Sequence, residues 1–134
     1  MNYWLVKQEP STYSFDDFQK EKKTDWTGVR NYMARNFLRD MKKGDSVLFY
    51  HSGDEKAVVG FATVSKAAFA DPTADDDAWV AVELKAGKKF KQPVPLVEIK
   101  KEPKLANMLL VKNSRISVMS VTEDEYDQVV AMGN

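Results

Sequence analysis

The sequence has no cysteine among its 134 residues. That excludes disulfides, thiolate metal sites and cysteine nucleophiles. Histidine is nearly absent too, with His51 the single example, and no G-x-S-x-G elbow supplies a serine to pair with it. With so few nitrogen and sulfur ligands, a metal site would have to be built from carboxylates. The acidic run Asp75-Asp76-Asp77 lacks the spacing and the glycine of a calcium loop, so no metal is expected. Neither a Walker A nor a G-x-G-x-x-G stretch occurs, and no cofactor is expected. No apolar run approaches the roughly 20 residues needed to span a bilayer. The opening MNYWLVKQEP lacks the basic and then apolar profile of a signal peptide. The expectation is a cytoplasmic protein, or a nuclear one in a eukaryote, with no membrane partner.

Net charge is also missing: 20 basic side chains balance 20 acidic ones, which argues against a bulk polyanion binder. The charges are grouped, however. Arg30, Arg35, Arg39, Lys42 and Lys43 face only Asp40 in their stretch, and seven lysines between Lys85 and Lys104 face only Glu98 and Glu102. The acids gather at Asp71–Asp77 and Glu123–Asp127. Such grouping gives either one positive and one negative face or ordinary solvated surfaces.

What is present suffices for a packed core. At 43% hydrophobic residues, a chain of this length buries roughly two-thirds of its unfolded surface, and residues 1–134 are expected to form one domain. Tyr3–Lys7 reads as a first strand. Ser14 with Asp17 three residues on starts a helix, and Phe15 and Phe18 form its inner face. Thr24–Asn31 reads as irregular, pivoting at Gly28. Asn31 caps a second helix reaching Met41, with Met33, Phe37, Leu38 and Met41 as a buried stripe. Ser46–His51, Ala57–Ala70 and Ala78–Lys85 read as consecutive strands, with Gly60 a bulge or a close approach and Ala86-Gly87 a turn. Pro93, Pro95 and Pro103 predict loops and short helical turns. Arg115–Val118 reads as the last strand. Thr122 and Glu125 form a capping box for a final helix ending at Gly133. The sum is an α+β fold: five or six strands in a mixed or antiparallel sheet, closed or nearly closed, with three or four helices around it.

Two residues stand out for chemistry. His51, ending an apolar strand, has three readings: structural hydrogen-bonder, pocket liner or catalytic base. Trp26 lies among polar neighbours, Thr24-Asp25-Trp26-Thr27-Gly28-Val29-Arg30-Asn31. It can be a buried structural tryptophan, or it can stack on a planar ligand whose edge the neighbours then read.

The segment Trp26-Thr27-Gly28-Val29-Arg30-Asn31-Tyr32-Met33-Ala34-Arg35-Asn36-Phe37-Leu38 closely resembles the signature of the EVE domain. Tyr3–Pro10, Lys43–Asp45, Phe49–Ser52, Phe69–Thr73, Trp79–Val82, Ser114–Val118 and Thr122–Tyr126 match in order, so the resemblance covers essentially the whole chain. It implies a PUA-like small β-barrel with packed helices, akin to YTH and SRA domains, and capture of a modified DNA or RNA base in an aromatic pocket. Carried over, Trp26 would be the main stacking wall, with Val29, Arg30 and Asn31 beside it. Lys7 and Gln8 would reach the base edge, Tyr50, His51 and Ser52 would line the pocket, and Trp79 would form a second wall. Arg115 and Ser117 would lie near its floor. Many family members have serine where this chain has Gln8, and a more polar residue where it has Met33. The longer amide both donates and accepts, so ligand choice is expected to respond to Gln8.

Binding one base returns roughly 1–3 kcal/mol of stacking. Flanking phosphates would add the rest, through Arg35, Arg39, Lys42, Lys43, Lys88 or Lys89, with the shallow salt dependence that zero net charge implies. Two other readings stay open. One is a modified-nucleoside hydrolase using Lys7, Glu9 and Thr24 or Thr27. The other is a sensor for a different small planar ligand.

Overall fold

The computed structural model describes residues 1–113 and 115–134; Ser114, part of the EVE-like pattern, lies outside them. Six strands among the described residues form one mixed sheet: β1 (Tyr3–Gln8), β2 (Lys23–Trp26), β3 (Ser46–His51), β4 (Ala57–Ala70), β5 (Val80–Pro95) and β6 (Val118–Val121), in the order β2-β5-β4-β3-β1-β6. β1 runs parallel to β3 and antiparallel to β6; all other neighbours are antiparallel. A parallel pair needs a long crossover. Here it is α1 (Phe15–Glu21), β2 and α2 (Tyr32–Asp40). Two short helices, α3 (Leu96–Lys101) and α4 (Leu109–Lys112), flank a 3₁₀ turn at Pro103–Leu105, and α5 (Glu123–Gly133) ends the chain.

Helix ends follow their capping chemistry. Ser14 and Asp17 close a capping box on α1, and Thr122 and Glu125 close another on α5. Asn31 accepts from the Ala34 N–H at the start of α2. Phe15, Phe18 and Phe49 are fully buried and meet with Trp26 at centroid separations of 5.2–5.9 Å.

The sheet is not closed by hydrogen bonds. β2 and β6 remain its edges, where the sequence predicts a closed or nearly closed barrel. Yet α2 packs against β4, β5 and β6. On a flat sheet β5 and β6 would lie about 19 Å apart at 4.8 Å per strand, so the sheet curls around this helix.

Other expectations need correcting. Lys23–Trp26 is an edge strand on β5, not irregular chain; its pairing is long-range and leaves little local trace. β5 runs straight through Ala86-Gly87 and on to Pro95. Pro93 is tolerated because β2 pairs only with Val82–Lys85 and the Ala86 N–H makes the last backbone bond on that side, to the Lys22 carbonyl, so farther along β5 that side needs no ladder N–H. The last strand is Val118–Val121, with Arg115 in the turn before it. Five α-helices form among the described residues rather than three or four. Met33 is 49% exposed, and Ala34 takes the buried place beside Leu38 and Met41. No helix among the described residues is long and apolar enough to cross a membrane.

Candidate functional site

β1 and β2 end side by side at Gln8 and Trp26. Around these ends lies a cavity of about 130 Å³ lined by Gln8, Tyr13, Thr24, Asp25, Trp26 and Thr27. Trp26 is 5% exposed and sets its ring edge-on to Phe49 at 5.7 Å. Its indole N–H has no protein partner among the described residues, although no buried polar side-chain atom among them is left unsatisfied. The N–H is therefore not sealed from solvent, and Trp26 is one of the residues that line the cavity. Trp4 contrasts, donating its indole N–H to Asp45 at 2.9 Å. The Gln8 Oε1 accepts from the Glu9 N–H at 3.1 Å, which leaves the amide NH₂ as a donor. Burial, and then its hydrogen bond to Glu21, push the Tyr13 phenol up to about 12. It stays protonated at working pH and donates to Glu21.

The strand leaves this cavity through Thr27–Asn31, and one carboxylate holds that loop. Asp71 has a side chain with no exposure. It accepts from the Gly28 N–H at 2.9 Å, the Arg30 Nη1 at 3.0 Å, and the Thr73 N–H and hydroxyl at 2.7 Å each. Gly28 has φ +81, a conformation open to glycine at little cost. Burial alone would raise the Asp71 carboxyl, but the hydrogen bonds from Thr73, Gly28 and Arg30 outweigh it and hold the group well below the usual carboxylate range. A carboxyl lowered in the folded state stabilises fully above its unfolded value of about 3.9 and loses that contribution as pH falls through the folded value. Asp71→Asn is expected to cost about 2 kcal/mol at pH 7. It is also expected to flatten the fall in thermal midpoint below about pH 4. An unaltered acid limb in melts of the variant would show that Asp71 does not anchor the loop.

The other sequence-named residues separate into distinct places. Strand alternation and the β1–β3 register put Lys7 with Tyr50 on one face and Gln8 with His51 on the other. The Lys7 ammonium lies 5.5 Å from the Tyr50 ring centroid; burial pulls the ammonium down and pushes the phenol up. The Ser117 carbonyl accepts from the Lys7 N–H, and the Ser52 N–H donates to the Gln8 carbonyl, each at 2.9 Å. His51 is spoken for: its Nε2 accepts from the Phe15 N–H and its Nδ1 meets Glu55, both at 3.0 Å. That is the geometry of a structural hydrogen-bonder tying α1 to β3.

Val29 is buried behind the loop, and Asn31 is engaged as the α2 cap. Arg30 and Arg35 stack on Trp79, which does not line the cavity. Arg115 is exposed, its N–H donating to Asn113. Arg39, Lys42, Lys43, Lys88 and Lys89 are exposed, with Lys89 paired to Asp16 at 3.2 Å. Lys42 and Lys43 precede β3, roughly 16 Å along the strands from Gln8.

Sequence reasoning missed Tyr13 and Asp71 as parts of this region. Asp71 carried a usable signal, because an Asp two residues before a Thr is a turn-forming pattern. The lining role of Tyr13 depends on long-range pairing and left none.

A family profile for the EVE domain matches residues 2–132. Human thymocyte nuclear protein 1 is 32% identical over 165 residues, covering 98% of this chain and 73% of that protein. A crystal structure of a protein from Agrobacterium tumefaciens has a TM-score of 0.96 at 44% identity, covering 100% of this chain and 94% of the other. Human THYN1, solved in complex with DNA containing 5-methylcytosine, has a TM-score of 0.92 at 30% identity, covering 100% of this chain and 98% of the other. Likeness of sequence along nearly the whole chain and likeness of backbone course thus lead to one answer: this chain belongs to the EVE domain family.

Proposed function

We propose that this chain is a nucleic-acid-binding module that captures a modified nucleobase in the cavity at the ends of β1 and β2, and that it acts by binding rather than by catalysis. The observation that carries this reading is the pair of donors left over at the cavity, the Trp26 indole N–H and the Gln8 amide, beside a buried aromatic wall. Two fixed N–H groups suit the ring nitrogen and carbonyl edge of a base. The volume is well below the roughly 300 Å³ at which drug-sized pockets begin, so the occupant is one small ring. The human relative's complex with 5-methylcytosine DNA supports the same class of ligand.

Trp26 and Gln8 are the residues proposed to touch the base, with Thr24 and Thr27 completing the rim. Arg30 and Asn31 hold the loop, and Arg35 and Arg39 on the adjoining helix take flanking phosphates. The hydrolase set is not favoured, because Lys7 faces away from Gln8, Thr24 and Thr27 and their common cavity.

Calorimetric titration with modified and unmodified nucleosides tests the reading. A modified base is expected to bind more tightly than its parent, by at most the roughly 10–200-fold that one methyl provides. Equal affinity for every nucleoside would overturn it. Gln8→Ser shortens the donor out of reach of the base edge and is expected to reorder the nucleosides. An unchanged ranking would remove Gln8 from the site.

A further inference from the structure

Of the three tryptophans, Trp4 and Trp26 belong to the core and Trp79 does not. Trp79 packs instead on Tyr32, centroid to centroid 4.9 Å at 31°, on the surface. Tyr32 is 62% exposed, the one aromatic among the described residues so open to water. The Arg35 guanidinium lies 4.8 Å from the Tyr32 ring centroid and 5.9 Å from that of Trp79. Two rings and a guanidinium held together outside the core present the π-faces and cations on which bases stack.

Charge gives the platform a direction. Tyr32, Arg35 and Arg39 follow at helical spacing along one stripe of α2. Arg35 spends its hydrogen bonds on two neutral acceptors, the Asn36 side chain and the Ala78 carbonyl. Arg39 has no acidic partner among the described residues. The acidic run Asp75–Asp77 leads into Trp79 along the chain, and there Asp76 accepts from the Ala78 N–H at 2.8 Å. Arg35 and Arg39, on one stripe of α2, draw a phosphate toward that helix. Arg30 ties the platform to the loop that starts at the cavity, since it reaches both Asp71 and the Trp79 ring.

We propose that Tyr32 and Trp79 form a second subsite, which stacks the nucleobase next in the strand to the captured one and directs its phosphate to Arg35 and Arg39. This rests on the base-capture reading above. It implies that the ligand is a single-stranded or locally opened stretch, because a neighbour still stacked inside a duplex has no face to offer.

The test uses three probes: 5-methyldeoxycytidine, a short single strand with a central 5-methylcytosine, and the same strand with abasic neighbours. The unaltered protein is expected to bind the full strand about tenfold more tightly than the abasic one. Tyr32→Ala, at an exposed position, is expected to erase that difference and leave nucleoside affinity unchanged, and Tyr32→Phe is expected to restore it. Equal binding of the full and abasic strands by the unaltered protein would overturn the platform while leaving base capture standing. Failure of all three probes to bind would overturn both.

Discussion

Trp26→Ala is expected to lower folding stability by about 3–5 kcal/mol, the range for emptying an aromatic site in a packed core. The indole is 5% exposed, sits edge-on to Phe49, and shares its cluster with Phe15 and Phe18. Nothing around it can collapse cheaply, because these rings are fixed by α1 and β3. Urea melts check the figure, and a loss below about 1 kcal/mol would mean that the ring packs loosely. The same variant loses ligand binding, but that loss says nothing about the site when the fold is so weakened. Trp26→Phe separates the two roles: it keeps a ring in the core and removes the indole N–H. It is expected to melt within a few degrees of the parent and to bind the modified nucleoside about tenfold more weakly, as expected for one lost hydrogen bond.

Gly60→Ala is expected to be nearly as damaging, for the opposite reason. A Cβ at Gly60 would stand 2.3 Å from the Phe15 Cζ, with two more ring atoms within 2.6 Å. Phe15 has no exposure, and its ring touches Phe18 and Phe49, so it cannot swing away. Its backbone N–H is also bound to His51. The added methyl must therefore push α1 off the sheet, at about 3 kcal/mol, the upper part of the usual overpacking range. The pairing of β3 and β4 shifts register beside this residue, so the bulge and the close approach serve one purpose. Phe15→Leu in the same background is expected to recover part of the loss. A Gly60→Ala protein as stable as the parent would show that α1 is not seated on β4.

Local chemistry explains which features were legible in the sequence. Capping boxes at Ser14 and Thr122, the Asn31 cap and the uninterrupted strand at Ser46–His51 are written within a few residues, and each forms where it is read. Gly60 was legible because a glycine inside a β-branched run has few other uses. The strand at Lys23–Trp26 was not, since a charged four-residue segment becomes a strand only when β5 lies beside it. Pro93 misled in the same way: its proline chemistry excludes a central strand but not one whose free side needs no donor. At the proposed site, Trp26 stood out by its polar neighbours, whereas Gln8 was named only through the family resemblance. That Lys7 and Gln8 point to opposite faces follows from alternation once β1 is extended to Gln8. That Trp79 stacks on Tyr32 rather than at the cavity required the three-dimensional course of α2.

The central claim is that a modified base enters beside Trp26, and the three indole N–H signals in a nitrogen–proton NMR spectrum test it directly. Their environments differ: Trp4 donates to Asp45, Trp26 lines the cavity, and Trp79 stacks on Tyr32 outside the core. Titration with 5-methyldeoxycytidine is expected to move the Trp26 signal while the Trp4 signal stays in place, with a smaller movement for unmodified deoxycytidine. A titration that shifts Trp79 alone, or leaves Trp26 unmoved at saturation, would contradict the account.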